Sequence, residues 1–129
     1  MPIAHGSFEV NMTPLDVHEG APDTLNRRSL MKTFTGDIVG SSRGEMVGAG
    51  SPENESAAYV ALELVDGSVH GRTGSFWLQH KATMLRGVGH MDVTVVPGSA
   101  TGDLIGLTGS MVIDVANNHA YEFDYVLPE

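Results

Sequence analysis

The chain has 129 residues, 41% of them hydrophobic, with 16 glycines, no cysteine and a formal net charge of −9. This length suits one domain, residues 1–129, with its own hydrophobic core, and the lack of cysteine excludes a disulfide scaffold, a thiolate nucleophile and a cysteine-based zinc site. The negative charge argues against nucleic acid and anionic membranes as partners, because both would repel the chain.

Strand-like runs follow one another from end to end of the chain. In chain order they cover residues 7–12, 29–35, 37–47, 59–65, 75–81, 90–96, 110–115 and 121–127. Five of them alternate apolar and polar residues, which is typical of a strand with one buried and one wet face. In the first, for example, Phe8, Val10 and Met12 share one face. No segment has the period of an amphipathic helix, so the sequence predicts an all-β fold.

Segments rich in glycine, proline and asparagine separate these runs. Residues 14–26 read as a long loop with at most one helical turn, and residues 48–56 read as a second exposed loop. Turns are predicted at residues 97–99 and at Asn117-Asn118, where asparagine suits the positive φ of a hairpin.

A Gly-x-Thr-Gly-Ser corner occurs twice, at residues 71–75 and 106–110, each time before an alternating strand. Glycines at this spacing let a strand kink sharply, as a closing barrel requires. Short connections between successive strands are typical of a meander. The predicted fold is therefore a small antiparallel closed barrel of about eight strands, and a two-sheet sandwich is the alternative.

The three consecutive runs between residues 29 and 65 alternate poorly. They place Lys32, Glu45, Tyr59 and Glu63 among apolar neighbours. Either polar groups enter the barrel and line a cavity, or the outer faces are apolar because they pack against another subunit. The second alternative predicts a homo-oligomer, with a dimer favoured.

His80 is the main candidate for a catalytic residue. It continues the inward face of Phe76 and Leu78 at the end of its strand, where a histidine can act as a general acid or base. Glu45 and Glu63 are candidate catalytic partners, since a carboxylate buried in an apolar barrel can also move protons. The alternatives are a hydrogen-bonded structural histidine and glutamates that are exposed or paired with arginine or lysine.

Four aromatic side chains are candidates for the wall of a ligand pocket, because each has a broad ring and a polar tip. They are Tyr59, Trp77, Tyr121 and Tyr125. Core packing is the alternative for Tyr121 and Tyr125. Trp77 lies on the face opposite Phe76, so an interface role is its alternative.

No metal or cofactor is predicted. The six histidines have no close ligand spacing, and the chain lacks a dinucleotide-binding glycine motif, a phosphate-binding loop and the Gly-x-Ser-x-Gly hydrolase elbow. The first residues carry no basic segment followed by an apolar one, and no run approaches the roughly 18 apolar residues of a membrane span. These features predict a cytoplasmic protein without a membrane partner.

Ordered motifs extend over nearly the whole chain. They are Gly36-Asp37 with Ser42-Arg43-Gly44-Glu45-Met46; Tyr59-Val60-Ala61-Leu62-Glu63; the stretch from Gly67 through His70-Gly71-Arg72-Thr73-Gly74-Ser75-Phe76-Trp77-Leu78-Gln79-His80; Val93-Thr94-Val95-Val96-Pro97-Gly98-Ser99 with Thr101-Gly102-Asp103-Leu104; and Tyr121-Glu122-Phe123-Asp124-Tyr125. In these motifs the chain resembles a small bacterial family, the domain of unknown function number 3224, whose members resemble the allene oxide cyclase barrel of calycin type. The resemblance implies an eight-stranded antiparallel barrel and oligomerisation, and it carries over no reaction and no catalytic residues.

Two functions from different classes follow from these features. In the first, the barrel lumen binds a small apolar or aromatic molecule, and His80, Glu45 or Glu63 supplies acid–base chemistry for a cofactor-free isomerisation or cyclisation. In the second, the chain is a non-catalytic binding or assembly module whose barrel is filled by side chains. The volume left inside the barrel discriminates between them.

Overall fold

Eight strands make up most of residues 2–51 and 55–128, which are the residues that this computed structural model describes. The strands are β1 (Ile3–Leu15), β2 (Leu25–Gly36), β3 (Ile38–Ser51), β4 (Ser56–Val69), β5 (Arg72–Leu85), β6 (Val88–Val95), β7 (Thr108–Asp114) and β8 (Ala120–Val126). Each strand pairs antiparallel with the next, and β1 pairs with β8, so the sheet closes into a barrel. The predicted all-β barrel is confirmed, and the sandwich alternative is wrong.

Several strands are longer than the sequence pattern predicts. The segment predicted as an exposed loop at residues 48–56 is largely a hairpin, because the β3–β4 ladder continues to the pair Ser51 and Ser56. Residues 52–54 of that prediction lie outside the described residues. The connection between β1 and β2 is also shorter than predicted, since it covers only residues 16–24, and it contains turns but no helical turn.

The repeated glycine corners lie where β5 and β7 begin. Gly71 and Gly106 have φ values of +81° and +85°, which L side chains rarely adopt. Gly74 and Gly109 have no room for a side chain, since a Cβ would lie 2.1 Å from the Thr101 carbonyl and 2.5 Å from the Asp124 carbonyl, respectively. Each corner therefore needs one glycine for its turn and another for close backbone packing.

The two ends of the barrel differ. At the closed end, near the β2–β3 and β4–β5 turns, inward-facing rings such as Phe34, Phe76 and Phe123 fill the lumen. A short 3-10 helix, Gly102–Leu104, places the fully buried Leu104 against this core. At the open end lie the β1–β2, β3–β4 and β5–β6 hairpins. Within residues 2–51 and 55–128, no helix is long and apolar enough to cross a membrane.

The poor alternation in β2, β3 and β4 has two causes, one inside the barrel and one outside. Inside, polar side chains such as Lys32 and Glu63 take positions that alternation would assign to apolar residues. Outside, Met31, Val60 and Leu62 are 60%, 56% and 51% exposed. These three strands therefore bury polar groups inside the barrel and expose apolar side chains outside it, and whether another subunit covers the outer face stays a prediction.

Candidate functional site

Four polar side chains meet inside the barrel, each from a different strand. Lys32 of β2, Ser42 of β3, Glu63 of β4 and His80 of β5 all point into the lumen and are buried. Lys32 and Ser42 are direct partners across the β2–β3 ladder. Because β2 to β5 are neighbours in the sheet, an inward residue on each brings the four groups together. These four residues are called the Glu63 cluster below.

Glu63 is the centre of the cluster and is 0% exposed. Its Oε1 atom accepts a hydrogen bond from Lys32 Nζ at 2.8 Å and lies 2.5 Å from His80 Nε2. Its Oε2 atom accepts a hydrogen bond from Ser42 Oγ at 2.5 Å. Lys32 Nζ also lies 4.3 Å from the centroid of the Phe8 ring, a cation–π contact. Both oxygens of the buried carboxylate are therefore satisfied by donors.

These donors keep Glu63 ionised. Burial raises the pKa of Glu63, but the hydrogen bond from His80 and the charge of Lys32 lower it, and the resulting pKa is about 2, against an ordinary value of 4.5. A carboxylate has no hydrogen to donate, so the bond between Glu63 and His80 requires a hydrogen on Nε2 of His80. The other ring nitrogen, Nδ1, forms no hydrogen bond with the described residues and is not one of their fully enclosed polar atoms. Nδ1 is therefore the ring nitrogen of His80 that is not bonded to Glu63.

An open cavity of about 1040 Å³ occupies the open end of the barrel. Four methionines line it, Met46, Met84, Met91 and Met111. Ala82, the next inward residue after His80 on β5, is also in the lining, and it pairs with Tyr59 across the β4–β5 ladder. The cavity thus reaches to within one inward residue of the Glu63 cluster along β5.

Tyr59 links the cavity to the cluster. It lines the cavity, is half-buried, and precedes Glu63 by four residues on the inward face of β4. Burial and then the negative charge of Glu63 raise the pKa of its hydroxyl. Tyr59 therefore remains a neutral hydrogen-bond donor at the cavity wall near neutral pH.

Of the predicted catalytic residues, the structure brings together His80 and Glu63 but not Glu45. Glu45 lies on the outer face of the barrel, where it accepts a hydrogen bond from Arg27 at 2.8 Å. The expectation that Glu45 could partner His80 is therefore corrected. The physical reason is the phase of β3, which turns Ser42 and Met46 inward and the odd-numbered residues between them outward.

Only one of the four predicted pocket aromatics lies at the cavity, and it is Tyr59. Tyr121 and Tyr125 are packed in the core towards the closed end, where Tyr121 Oη accepts a hydrogen bond from the Ile38 amide at 2.9 Å. Tyr125 Oη is hydrogen-bonded to His70 Nδ1. Trp77 is 38% exposed on the outer face. These three residues therefore do not line this cavity: Tyr121 and Tyr125 take the core positions of their stated alternative, and the interface role of Trp77 stays a prediction.

Sequence reasoning missed the roles of Lys32 and Ser42. The sequence did contain a signal for Lys32, because this charged residue lies on the same face of its strand as the buried residues Leu30 and Phe34. Ser42 gave no signal, because its position in the site follows from pairing with Lys32 rather than from its own neighbours. Among the described residues, no group of three or more histidine, aspartate and glutamate side chains is arranged to hold a metal ion.

Comparison with known proteins identifies the family. The profile of a family described as "Protein of unknown function (DUF3224)" matches residues 4–125. The chain belongs to this family. The crystal structure of a DUF3224 protein of unknown function from Shewanella oneidensis MR-1 is similar, with 39% sequence identity and a TM-score of 0.92 over 100% of this chain and 98% of that one. No curated protein matches the chain.

Proposed function

We propose that this DUF3224 barrel binds a small apolar or aromatic molecule in its open cavity and that His80 moves a proton on that molecule without a cofactor. One observation carries the proposal, namely that a buried ionic cluster lies beneath a large, methionine-lined cavity. A barrel filled by side chains, which the assembly alternative requires, would leave no such space.

The cluster is costly as a purely structural element. Replacing a whole buried ion pair by apolar side chains of similar volume is often neutral or stabilising, so a barrel does not require an ion pair at the positions of Lys32 and Glu63. Perturbed carboxylates next to a histidine in a cleft are typical of acid–base sites. These two considerations support a chemical role for the Glu63 cluster.

In the proposed reaction, Nδ1 of His80 takes a proton from a carbon atom of the bound molecule. The C–H bond breaks, its electron pair shifts into the adjacent unsaturated system, and the imidazolium is stabilised by Glu63. The same proton then returns to a different atom, so the product is an isomer and nothing is oxidised or reduced. Lys32 keeps Glu63 ionised, and the neutral Tyr59 hydroxyl donates a hydrogen bond to the molecule.

This proton transfer is chemistry of the isomerase or cyclase type. In such a site, the cavity holds a flexible molecule in a reactive conformation beside one acid or base. His80 is enclosed one inward residue beyond Ala82, which lines the apolar cavity, and this position supports the interpretation.

Nitrobenzisoxazole tests the proton transfer, because removal of its ring C–H proton by a base opens the ring and yields a coloured phenolate. We expect the wild-type protein to accelerate this reaction about 100-fold over buffer and His80→Gln to abolish the acceleration. His90→Gln is the matched control, since His90 also lines the cavity but lies at its rim. Equal rates for the wild type and His80→Gln, or loss of the acceleration only in His90→Gln, would overturn the role of His80.

We further propose that two copies associate through the outer strip, the exposed apolar side chains Met31, Val47, Val60, Leu62 and Trp77 on β2 to β5. The outward positions of these strands carry three basic residues and two acidic ones, Arg27, Arg43, Lys81, Glu45 and Asp66. This face is nearly charge-balanced, whereas the chain carries a net charge of −9. A second copy can therefore cover the strip without the repulsion that the rest of the surface would cause.

Light scattering at micromolar concentration tests this assembly. We expect twice the 13.7 kDa chain mass for the wild type and the monomer mass for Leu62→Asp. Val112→Asp is the control, because Val112 is exposed on β7, outside the strip. A monomeric wild type, or a dimer that survives Leu62→Asp, would overturn the interface.

A cytoplasmic location, without nucleic-acid or membrane partners, completes the proposal. The net charge of −9 supports it, because phosphate-rich surfaces would repel the chain. Fractionation of the producing cells and sedimentation with anionic vesicles test it, and recovery of the protein with the membranes would contradict it.

A further inference from the structure

We infer that the molecule bound in the cavity is an amphipathic anion, whose apolar body packs on the methionines and whose single acidic group binds Arg28 at the rim. The inference rests on the proposed function in taking the cavity as a binding site. It goes further by giving the ligand a charge and an orientation. The acidic group can be a carboxylate, a sulfonate or a phosphate, since an arginine binds all three through the same fork of N–H donors.

Arg28 lies where it can bind the acidic group of a ligand, and it is not part of an ion pair between the described residues. It lines the cavity, in the same inward phase of β2 as Leu30 and Lys32. Its guanidinium forms no salt bridge and no side-chain hydrogen bond with residues 2–51 and 55–128. Its neighbour Arg27 does the opposite, since it donates hydrogen bonds to Glu45 and to the Asp16 carbonyl.

The position of Arg28 favours an anion with its head at the rim of the cavity. The positive charge of Lys32 is already neutralised by Glu63, 2.8 Å away. Arg28 is then the one permanently charged base among the described lining residues, in a chain with only 7 basic side chains against 16 acidic ones. Glu55 also reaches the rim, but it makes no ion pair with Arg28. Among the described residues, no carboxylate lies within salt-bridge distance of Arg28, so its fork of N–H donors is not engaged by them.

The methionines fix the chemistry of the other end of the ligand. Met46, Met84, Met91 and Met111 present flexible, polarisable thioethers that adapt to flat rings and to chains alike. Arg28 and Lys32 are four residues apart on β2, about 13 Å along the strand. A ligand of about this length reaches from the arginine to the Glu63 cluster, which would place its uncharged end beside His80.

Two fluorescent probes with one skeleton isolate the role of the charge. Anilinonaphthalene sulfonate is an anion, and phenylnaphthylamine has the same aromatic rings without the sulfonate. We expect Arg28→Gln to weaken binding of the sulfonate about tenfold and to leave phenylnaphthylamine binding within about twofold. Arg27→Gln is the matched control and should change neither. In the wild type, raising the ionic strength to about 0.5 M should weaken only the sulfonate probe, a readout that needs no variant.

The outcomes separate this inference from the proposed function. If both probes bind the wild type but the sulfonate is unaffected by Arg28→Gln and by salt, the anionic ligand is refuted while the apolar cavity site stands. If Arg27→Gln weakens the sulfonate as much as Arg28→Gln does, the effect is one of net charge and the role of Arg28 is again refuted. If neither probe binds, the cavity site itself fails and the inference fails with it.

Discussion

Replacing Glu63 by glutamine tests how much the negative charge of Glu63 stabilises the fold, because the substitution keeps the shape of the side chain and removes its charge. Glu63 is 0% exposed and Lys32 is 6% exposed, so Glu63→Gln leaves an ammonium group buried without its counter-ion. Breaking a buried pair in this way costs about 3–5 kcal/mol. The lowering of the Glu63 pKa from 4.5 to about 2 gives a similar figure, about 3 kcal/mol, for the stabilisation that the charge contributes.

We therefore expect Glu63→Gln to lower the free energy of unfolding by about 3–4 kcal/mol, measured by urea denaturation at pH 7 and one protein concentration. The double variant Lys32→Met/Glu63→Gln should recover most of that loss, because it removes the uncompensated cation as well. Glu122→Gln is the control, since Glu122 is 65% exposed on the outer face of β8, and it should change stability by less than about 0.5 kcal/mol. If Glu63→Gln lowered the free energy of unfolding by less than about 1 kcal/mol, or if the double variant were no more stable than Glu63→Gln, the claim that Glu63 compensates the buried charge of Lys32 would be refuted.

Three further predictions concern stability. Because the pKa of Glu63 in the folded protein lies below its ordinary value, the stabilisation by its charge is full above pH 4.5 and is lost as the pH falls towards about 2. The urea midpoint should therefore fall over this pH range in the wild type and fall less in Glu63→Gln. Parallel plots of urea midpoint against pH for the two proteins would contradict this prediction. Gly44→Ala should destabilise the barrel by more than about 3 kcal/mol, because its Cβ would lie 1.9 Å from the Leu62 carbonyl. Gly89→Ala should cost about 1 kcal/mol or less, because its Cβ would contact the flexible end of Met84 at 3.4 Å and no backbone atom closer than 3.8 Å. Equal melting temperatures for the two variants would refute this prediction. Tyr121→Phe should lower the free energy of unfolding by about 1–3 kcal/mol, since it removes the hydroxyl that is hydrogen-bonded to the Ile38 amide and the Thr35 carbonyl. An unchanged urea midpoint would show that these hydrogen bonds do not stabilise the fold.

The barrel could be predicted because, in most strands, the alternation of apolar and polar residues shows which face is buried. In β8, Tyr121, Phe123 and Tyr125 alternate with polar residues, and all three are buried. In β3 the same reasoning fails, because the inward positions include Gly40, Gly44 and Gly48, which carry no side chain to mark a face. Alternation shows which face of a strand is buried only where large apolar residues occupy that face.

The site was only partly predictable for the same reason. His80 and Glu63 were identified because each stands in or beside a run of apolar residues that fixes its phase. Glu45 was assigned to the wrong side, since its neighbours Met46 and Val47 are both apolar and do not distinguish the faces of β3. The cavity depends on how side chains from six strands fill the lumen together, and no single strand contains that information.

The central claim is that the open end of the barrel binds a small apolar molecule beside the Glu63 cluster, and a phenylnaphthylamine titration tests it most directly. We expect saturable fluorescence enhancement with the wild type and a loss of affinity of about tenfold or more in Ala82→Phe, because Ala82 lines the cavity on the side of His80 and a phenyl ring there would occupy the part of the cavity nearest the Glu63 cluster. Thr33→Phe, on the exposed outer face of β2, should bind as the wild type does. No saturable enhancement with the wild type, or equal binding by Ala82→Phe, would contradict the claim.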